Sequence, residues 1–220
     1  MNADTKPDEI IRRRGFMLIL SSPSGAGKST LTKHLLDDDA LDLDLSISVT
    51  TRARRSSEVD GRHYYFKTPA EFEKMRAAND LLEWAEVHGN YYGTPRGAVD
   101  KVLASGRDMI FDIDYQGTQQ VLQRARKDAV TIFILPPSMR ELKARLERRA
   151  EDASDVIERR LEAARVQEIE RWKLYDYVIV NRDVQEALQQ VRAILIAERL
   201  RRTRSEEAIA GFVKTLLASA

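Results

Sequence analysis

The chain has 220 residues, and its 43% hydrophobic content is enough to fill a core, which excludes a wholly disordered protein. Its 36 basic and 35 acidic residues leave a net charge of +1, which argues against bulk electrostatic binding to nucleic acid or to a membrane. The absence of cysteine excludes disulfides, thiolate metal sites and a cysteine nucleophile, and the three histidines lack metal-ligand spacing.

The first segment, residues 1–15, is polar and charged and shows no apolar periodicity, so we expect a mobile leader. The apolar run that follows it is far too short for the hydrophobic region of a signal peptide. No stretch reaches the ~20 apolar residues that cross a bilayer. A soluble, cytoplasmic protein that binds no membrane and no nucleic acid is therefore expected.

Four short apolar blocks predict buried strands: Phe16–Ser21, Met109–Asp112, Val130–Leu135 and Tyr177–Val180. Helical patterns separate these blocks, which is typical of βα units around a parallel sheet. Between residues 46 and 97 the alternation of strand and helix patterns stops, and aromatic residues interleave with arginines. This change indicates an insertion into the core domain.

Two helix starts carry a capping box, in which a Thr or Ser side chain and a Glu three residues later satisfy the first backbone N–H groups. They begin at Thr68 and Ser138, and Leu142 and Leu146 form the apolar stripe of the second helix. The basic run Arg199–Arg204 favours a solvated helix end, and an amphipathic stretch then continues to residue 217.

A phosphate-binding loop follows the first strand. Its sequence is Ser22-Pro23-Ser24-Gly25-Ala26-Gly27-Lys28-Ser29-Thr30, which matches the P-loop pattern G-x-x-x-x-G-K-[ST] with Ser22 at the first position. In such a loop the backbone N–H groups cradle phosphates at a helix N-terminus. Lys28 is expected to reach the β- and γ-phosphates of ATP, and the Ser29 hydroxyl to bind Mg²⁺.

Further motifs lie downstream: Arg52, Arg55, Glu58, Gly61 and Tyr64 at a spacing of three, then Glu83-Trp84, Gly89–Thr94, Asp112–Gly117 and Val178–Asn181. With this set the chain resembles the guanylate kinases, which phosphorylate GMP from ATP, from about residue 16 to 199. The resemblance implies an α/β fold, a three-layer P-loop kinase core with a parallel sheet (residues 16–45, 98–138 and 161–199). It also implies a GMP-binding insertion (46–97) and a mobile lid (139–160), with a C-terminal extension at 200–220.

The resemblance assigns nine residues to GMP: Ser48, Arg52, Arg55, Glu58, Tyr64, Glu83, Tyr92, Thr94 and Asp114. The Glu83 carboxylate matches the adjacent N1–H and amine donors of guanine, and adenine would leave it unpaired. Asp114 is implied as a second partner of the amine, while Ser48 and Thr94 would offer hydroxyls to the base. Arginine forks suit the phosphate, to which the two tyrosines would donate.

Structural alternatives stay open for several of these residues. Thr94 precedes a proline and could cap a helix, Asp114 could be a solvated loop residue, and Tyr92 could be a packing aromatic. A solvated-face role is the alternative for Glu83 and for the arginines and Tyr64.

The remaining candidates serve ATP and the transferred phosphoryl group. Arg145 and Arg149 lie at i and i+4 of one helix, Arg160 follows, and the resemblance implies that all three close over that group. The alternative for these three arginines is a structural role, in which they form salt bridges on the helix surface. Asp112 ends a strand where it could hold Mg²⁺ through water, or be a turn aspartate, and Asn181 is expected to contact adenine or its loop.

Two functions other than a GMP kinase are compatible with parts of the sequence: an interaction module and a kinase with another acceptor. A non-catalytic guanylate-kinase-like interaction module typically lacks a working P-loop, whereas Lys28 and Ser29 are present here. A related kinase with another acceptor would keep the P-loop but lose the arginine and Glu83 motifs. We therefore predict an ATP:GMP phosphotransferase that needs no general base, because the accepting oxygen is already anionic; its oligomeric state is left open.

Overall fold

A computed structural model describes residues 13–87, 89–148, 158, 161–162 and 168–218. The strands are β1 Met17–Ser21, β2 Leu43–Leu45, β3 Val49–Thr50, β4 Tyr65–Phe66, β5 Leu81–Val87, β6 Asn90–Pro95, β7 Asp108–Phe111, β8 Ala129–Leu135 and β9 Tyr177–Val180. The helices are α1 Lys28–Leu36, α2 Pro69–Ala77, α3 Arg96–Ala104, α4 Tyr115–Ala125, α5 Met139–Arg148, α6 Val184–Arg199 and α7 Glu206–Ala218.

The main sheet has five parallel strands in the order β2-β7-β1-β8-β9. Its central strand, β1, is buried along its whole length, as expected of a parallel sheet that is covered on both faces. Leu18 and Leu20 pack with α1 and α6 on one face, and Met17 and Ile19 pack with α3 and α4 on the other. The predicted α/β fold with a parallel sheet is confirmed.

A second sheet lies between residues 49 and 95, where the strand rhythm of the sequence pauses. Its order is β4-β3-β6-β5, and β5 and β6 pair as antiparallel neighbours. Helix α2 packs on it through the buried Phe72, and the predicted capping box is present at Thr68, whose side chain accepts from the Glu71 N–H at 3.2 Å. The strands of this sheet carry three of the nine residues predicted to bind GMP, and the segments next to β3 and β4 carry five more.

The chain already contacts the core at Arg13, inside the segment predicted as a leader; residues 1–12 lie outside the described part. The Arg13 guanidinium pairs with Asp108, a fully buried carboxylate at the start of β7, at 2.6 and 2.8 Å. Arg199 binds the same carboxylate at 2.7 Å from the end of α6. One buried acid therefore joins the beginning of the described chain to its last core helix.

The prediction of a solvated basic end was wrong for two of its arginines. Arg204 is only 7% exposed, because it pairs with the buried Glu198 at 2.9 Å and lies 4.3 Å from the centre of the Phe16 ring. Arg199 is held by Asp108 as described above. The charges are buried where acids of the core can pair with them.

Helix α5 begins as predicted after Ser138, whose hydroxyl accepts from the Glu141 N–H at 3.1 Å, and Leu142 and Leu146 are buried. Most of the predicted lid beyond this helix lies outside the described residues, including Arg149 and Arg160. Among the described helices, none combines the length and the apolar character needed to span a membrane.

Candidate active site

The P-loop turns from β1 into α1 through two glycines with positive φ, Gly25 at +90° and Gly27 at +104°. This conformation, which side chains rarely adopt, is what turns successive backbone N–H groups toward one anion. Neighbouring side chains fill the space outside the loop. A Cβ at Gly25 would lie 2.9 Å from Leu146 of α5, and a Cβ at Gly27 would overlap the amide nitrogen of Asn181.

Asn181 and Arg145 both hold the loop from outside. The Asn181 side chain is buried and donates to the Ala26 carbonyl at 2.8 Å, to which Arg145 also donates at 3.3 Å. Arg145 further donates to the Asn181 carbonyl and to the Glu141 carboxylate, at 3.1 and 3.0 Å. The guanidinium predicted to cover the phosphoryl group therefore has three acceptors beside the P-loop.

The Lys28 ammonium forms an ion pair with Asp112, which follows β7. The two residues meet because β1 and β7 are parallel neighbours, so their carboxyl ends share one edge of the sheet. The exposed Ser29 hydroxyl lies next in the chain. A hydroxyl and a half-exposed carboxylate are donors that Mg²⁺ accepts when phosphates and water complete its shell, so this pair fits the ion.

Two cavities adjoin this point. The larger has a volume of about 520 Å³ and is lined by the P-loop, Asp112 and Asp114. The smaller, about 370 Å³, lies between α1 and the second sheet and is lined by Ser48 and Tyr64. Ser29 and Asp112 line both cavities, so molecules bound in the two would meet at these residues.

Arg52 follows β3 of the second sheet and is held by neighbouring side chains, one of which, Tyr64, lines the smaller cavity. Its guanidinium forms two hydrogen bonds with Glu58, at 2.6 and 3.1 Å, and lies 5.5 Å from the centre of the Tyr64 ring. The Arg52 guanidinium lowers the pKa of Glu58 to about 2, and the Arg55 backbone N–H adds to this effect. Tyr92 packs edge-on against Tyr64, with 6.0 Å between ring centres.

Glu83 is 6% exposed and points from β5 toward the N-terminus of α4. Its Oε1 accepts from the Thr94 hydroxyl at 2.6 Å, and its Oε2 would lie 2.9 Å from a Cβ at Gly117, so glycine leaves the space that the carboxylate needs. Burial raises the pKa of Glu83. A solvated-face role for this residue is therefore excluded.

Helices α3 and α4 show the local roles of two residues for which the sequence left a structural alternative open. Helix α3 begins at Arg96 after Pro95, without a side-chain cap, and Thr94 binds Glu83 instead. Asp114 is exposed, as its solvated alternative predicts, and it is the N-cap of α4: its Oδ1 accepts from the Gly117 N–H at 2.8 Å. A carboxylate has two oxygens, so this bond leaves Asp114 with acceptor capacity.

The structure adds residues that no sequence motif indicated. Arg171 lies 4.0 Å from the centre of the Tyr115 ring at the larger cavity, and the Glu168 carboxylate accepts from the Ser24 N–H of the P-loop at 3.4 Å. Gln120 and Arg124 of α4 bind the backbone of β5. Their partners lie 36 or more residues away, a separation that local periodicity does not reveal.

Comparison with known proteins gives one consistent family. A family model described as "Guanylate kinase" matches residues 14–198. The chain is 61% identical over 194 residues to the guanylate kinase of Rhizobium meliloti (strain 1021), covering 88% of each chain, and 58% identical over 212 residues to that of Chelativorans sp. (strain BNC1), covering 96% of each. The crystal structure of guanylate kinase from Anaplasma phagocytophilum is similar with a TM-score of 0.69 and 36% identity, covering 92% of this chain and 97% of that one.

Proposed function

The chain belongs to the guanylate kinase family and transfers a phosphoryl group from ATP to GMP, and we propose that the transfer takes place where the two cavities meet. The observation that carries this proposal is that Ser29 and Asp112 line both cavities. One cavity contains a phosphate-binding loop, and the other is lined by Ser48 and Tyr64, whose ring contacts the Arg52 guanidinium. In-line transfer needs the two phosphates on opposite sides of one shared point.

On the ATP side, the P-loop of residues 22–30 binds the phosphates through backbone N–H groups, and Lys28 exchanges its contact with Asp112 for the β- and γ-phosphates. Ser29 and, through water, Asp112 would hold Mg²⁺, which would neutralise phosphate charge when bound. Asn181 contributes to this site from outside the loop, through Ala26. We assign ATP and Mg²⁺ as the requirements of the reaction.

On the GMP side, Arg52, Arg55, Tyr64 and Tyr92 bind the phosphate. Glu58 binds Arg52 and the Arg55 backbone and so orients these donors, since a carboxylate would repel the phosphate itself. Glu83 binds the N1–H and the amine of guanine, and Asp114 binds the amine from the border of the larger cavity, which it lines. Thr94 and Ser48 supply hydroxyls to this end of the site. A buried carboxylate left unpaired by adenine gives discrimination of several orders of magnitude.

The chemistry itself requires positioning and charge neutralisation only. The accepting GMP oxygen is anionic, so no side chain has to remove a proton from it. Lys28 and the lid arginines Arg149 and Arg160 stabilise the charge that spreads over the transferred group, and Arg145 holds the P-loop side of that lid. We further propose the boundaries 46–97 for the GMP-binding insertion and 139–160 for the lid, and a cytoplasmic location for the reaction.

A coupled assay of ADP release with GMP, AMP, CMP and UMP, each with and without Mg²⁺, tests this proposal. Turnover is expected with GMP and Mg²⁺, with the other three acceptors slower by at least about a hundredfold. Equal rates on all four would contradict the guanine-reading assignment. Turnover of GMP unaffected by removal of Mg²⁺ would contradict the metal assignment.

A further inference from the structure

Strand β5, which carries Glu83, is an edge strand of the second sheet, so within the described part of the chain one side of its backbone has no strand neighbour. A side chain of α4 takes that place. The Gln120 amide donates to the Trp84 carbonyl at 2.8 Å and accepts from the Trp84 N–H at 3.1 Å. This pair of bonds reproduces what an adjacent strand would supply, at the residue next to Glu83.

Two more residues of α4 contact the same strand. Arg124 donates to the carbonyls of Leu81 and Leu82 at 2.8 and 3.0 Å, and Gly117 faces the Glu83 carboxylate. Positions 117, 120 and 124 are spaced i, i+3 and i+7, so they share one helix face. Helix α4 therefore lies along β5 and holds it over about two turns.

The same helix also carries the second guanine-reading carboxylate. Asp114 is its N-cap and is fixed by the Gly117 N–H at 2.8 Å. One rigid helix thus determines the position of Asp114 directly and that of Glu83 through the backbone of β5. We propose that Gln120 is a positioning residue for guanine selectivity, because it fixes the separation of Glu83 from Asp114; this inference rests on the proposed role of those two carboxylates.

The proposed role of Gln120 predicts different effects on the binding of two related nucleotides, GMP and IMP. GMP presents N1–H and an exocyclic amine, so its base must satisfy Glu83 and Asp114 at once. IMP keeps N1–H and lacks the amine, so its base contacts Glu83 without depending on the distance to Asp114. Loosening β5 should therefore weaken GMP binding more than IMP binding, whereas a general loss of structure would weaken both equally.

The test compares Gln120→Leu with Gln123→Leu, a matched control at an exposed position of the same helix. Dissociation constants for GMP and IMP are measured by titration calorimetry, and the KM for ATP by the coupled assay. For Gln120→Leu we expect the GMP constant to rise about tenfold, equivalent to ~1.4 kcal/mol, the IMP constant to rise about threefold or less, and the KM for ATP to stay unchanged. Gln123→Leu should leave all three constants as in the wild type.

An equal loss for GMP and IMP, or no loss for either, would overturn the proposal. Thermal unfolding checks that the variants are folded, and if Gln120→Leu is not, Gln120→Glu takes its place. That variant keeps an acceptor for the Trp84 N–H but sets an oxygen against the Trp84 carbonyl, so the same GMP-specific loss is expected. A wild-type protein that fails to phosphorylate GMP would refute the proposed function instead, so the two failures are distinguishable.

Discussion

Replacing Glu83 by Gln separates the reading of guanine from the stability of the fold. The amide keeps the shape of the side chain. It also keeps one oxygen that can accept from the Thr94 hydroxyl, as Glu83 Oε1 does at 2.6 Å in the wild type. It places an NH₂ group where a carboxylate oxygen faced a guanine donor. Losing a hydrogen bond to a charged group costs about 1.5–3 kcal/mol, so kcat/KM for GMP should fall by about 10- to 100-fold.

The stability of the same variant should not fall. Burial raises the pKa of Glu83, which means that the folded protein holds the proton more tightly than the unfolded chain does. Above that pKa the ionised carboxylate therefore lowers the free energy of unfolding, and the neutral amide removes this penalty. The melting temperature of Glu83→Gln at neutral pH should equal or exceed that of the wild type.

The assay is the ratio of kcat/KM for GMP to that for AMP, measured in wild type and variant, together with thermal unfolding of both. We expect the GMP-to-AMP ratio of kcat/KM to be at least about tenfold lower in the variant than in the wild type, with no fall in the melting temperature. An unchanged ratio would refute the reasoning, because Glu83 would then not read the base. A narrowed ratio with a large drop in melting temperature would show a structural role instead.

Three further predictions concern other parts of the molecule. Lys28→Ala should abolish phosphoryl transfer and leave the melting temperature nearly unchanged, since the ion pair it loses is partly exposed; near-normal turnover of the folded variant would remove Lys28 from the site. Asp108→Asn should cost about 3–5 kcal/mol of unfolding free energy, measured by urea titration, because Arg13 and Arg199 lose their shared buried counter-charge, while kcat of the folded enzyme is kept. On acidification, kcat/KM for GMP should fall at a pH above the usual ~4.3 of Glu, because the ionised Glu83 is present above its raised pKa and lost below it; Glu83→Gln should lack this part of the pH profile.

Local patterns predicted the parts of the fold whose cause is local. The apolar block of β1 predicted the first strand, and the glycines after it predicted the P-loop. The capping box at Thr68 predicted the start of α2. Strands β3 and β4 have only two residues each, too few for a recognisable apolar pattern. Their pairing depends on the β5–β6 hairpin, which the sequence suggested only as a change of rhythm.

Contacts between distant residues account for what was missed or wrong. Gln120 and Trp84 are 36 residues apart, and nothing in α4 alone indicates that Gln120 completes the edge of another sheet. Arg199 was expected to be solvated because it opens a basic run, but its partner Asp108 lies 91 residues earlier and is fully buried. For Arg145 the local sequence contains one acceptor, Glu141 on the same helix, whereas its other two acceptors are in the P-loop and after β9.

A crystal structure of the protein with bound GMP tests the central claim most directly. We expect guanine N1 and its amine within hydrogen-bond distance of the Glu83 carboxylate, and the phosphate among Arg52, Arg55, Tyr64 and Tyr92 on the Ser29 side of the second sheet. Density for GMP elsewhere, or a base that turns its N1–H edge away from Glu83, would contradict it.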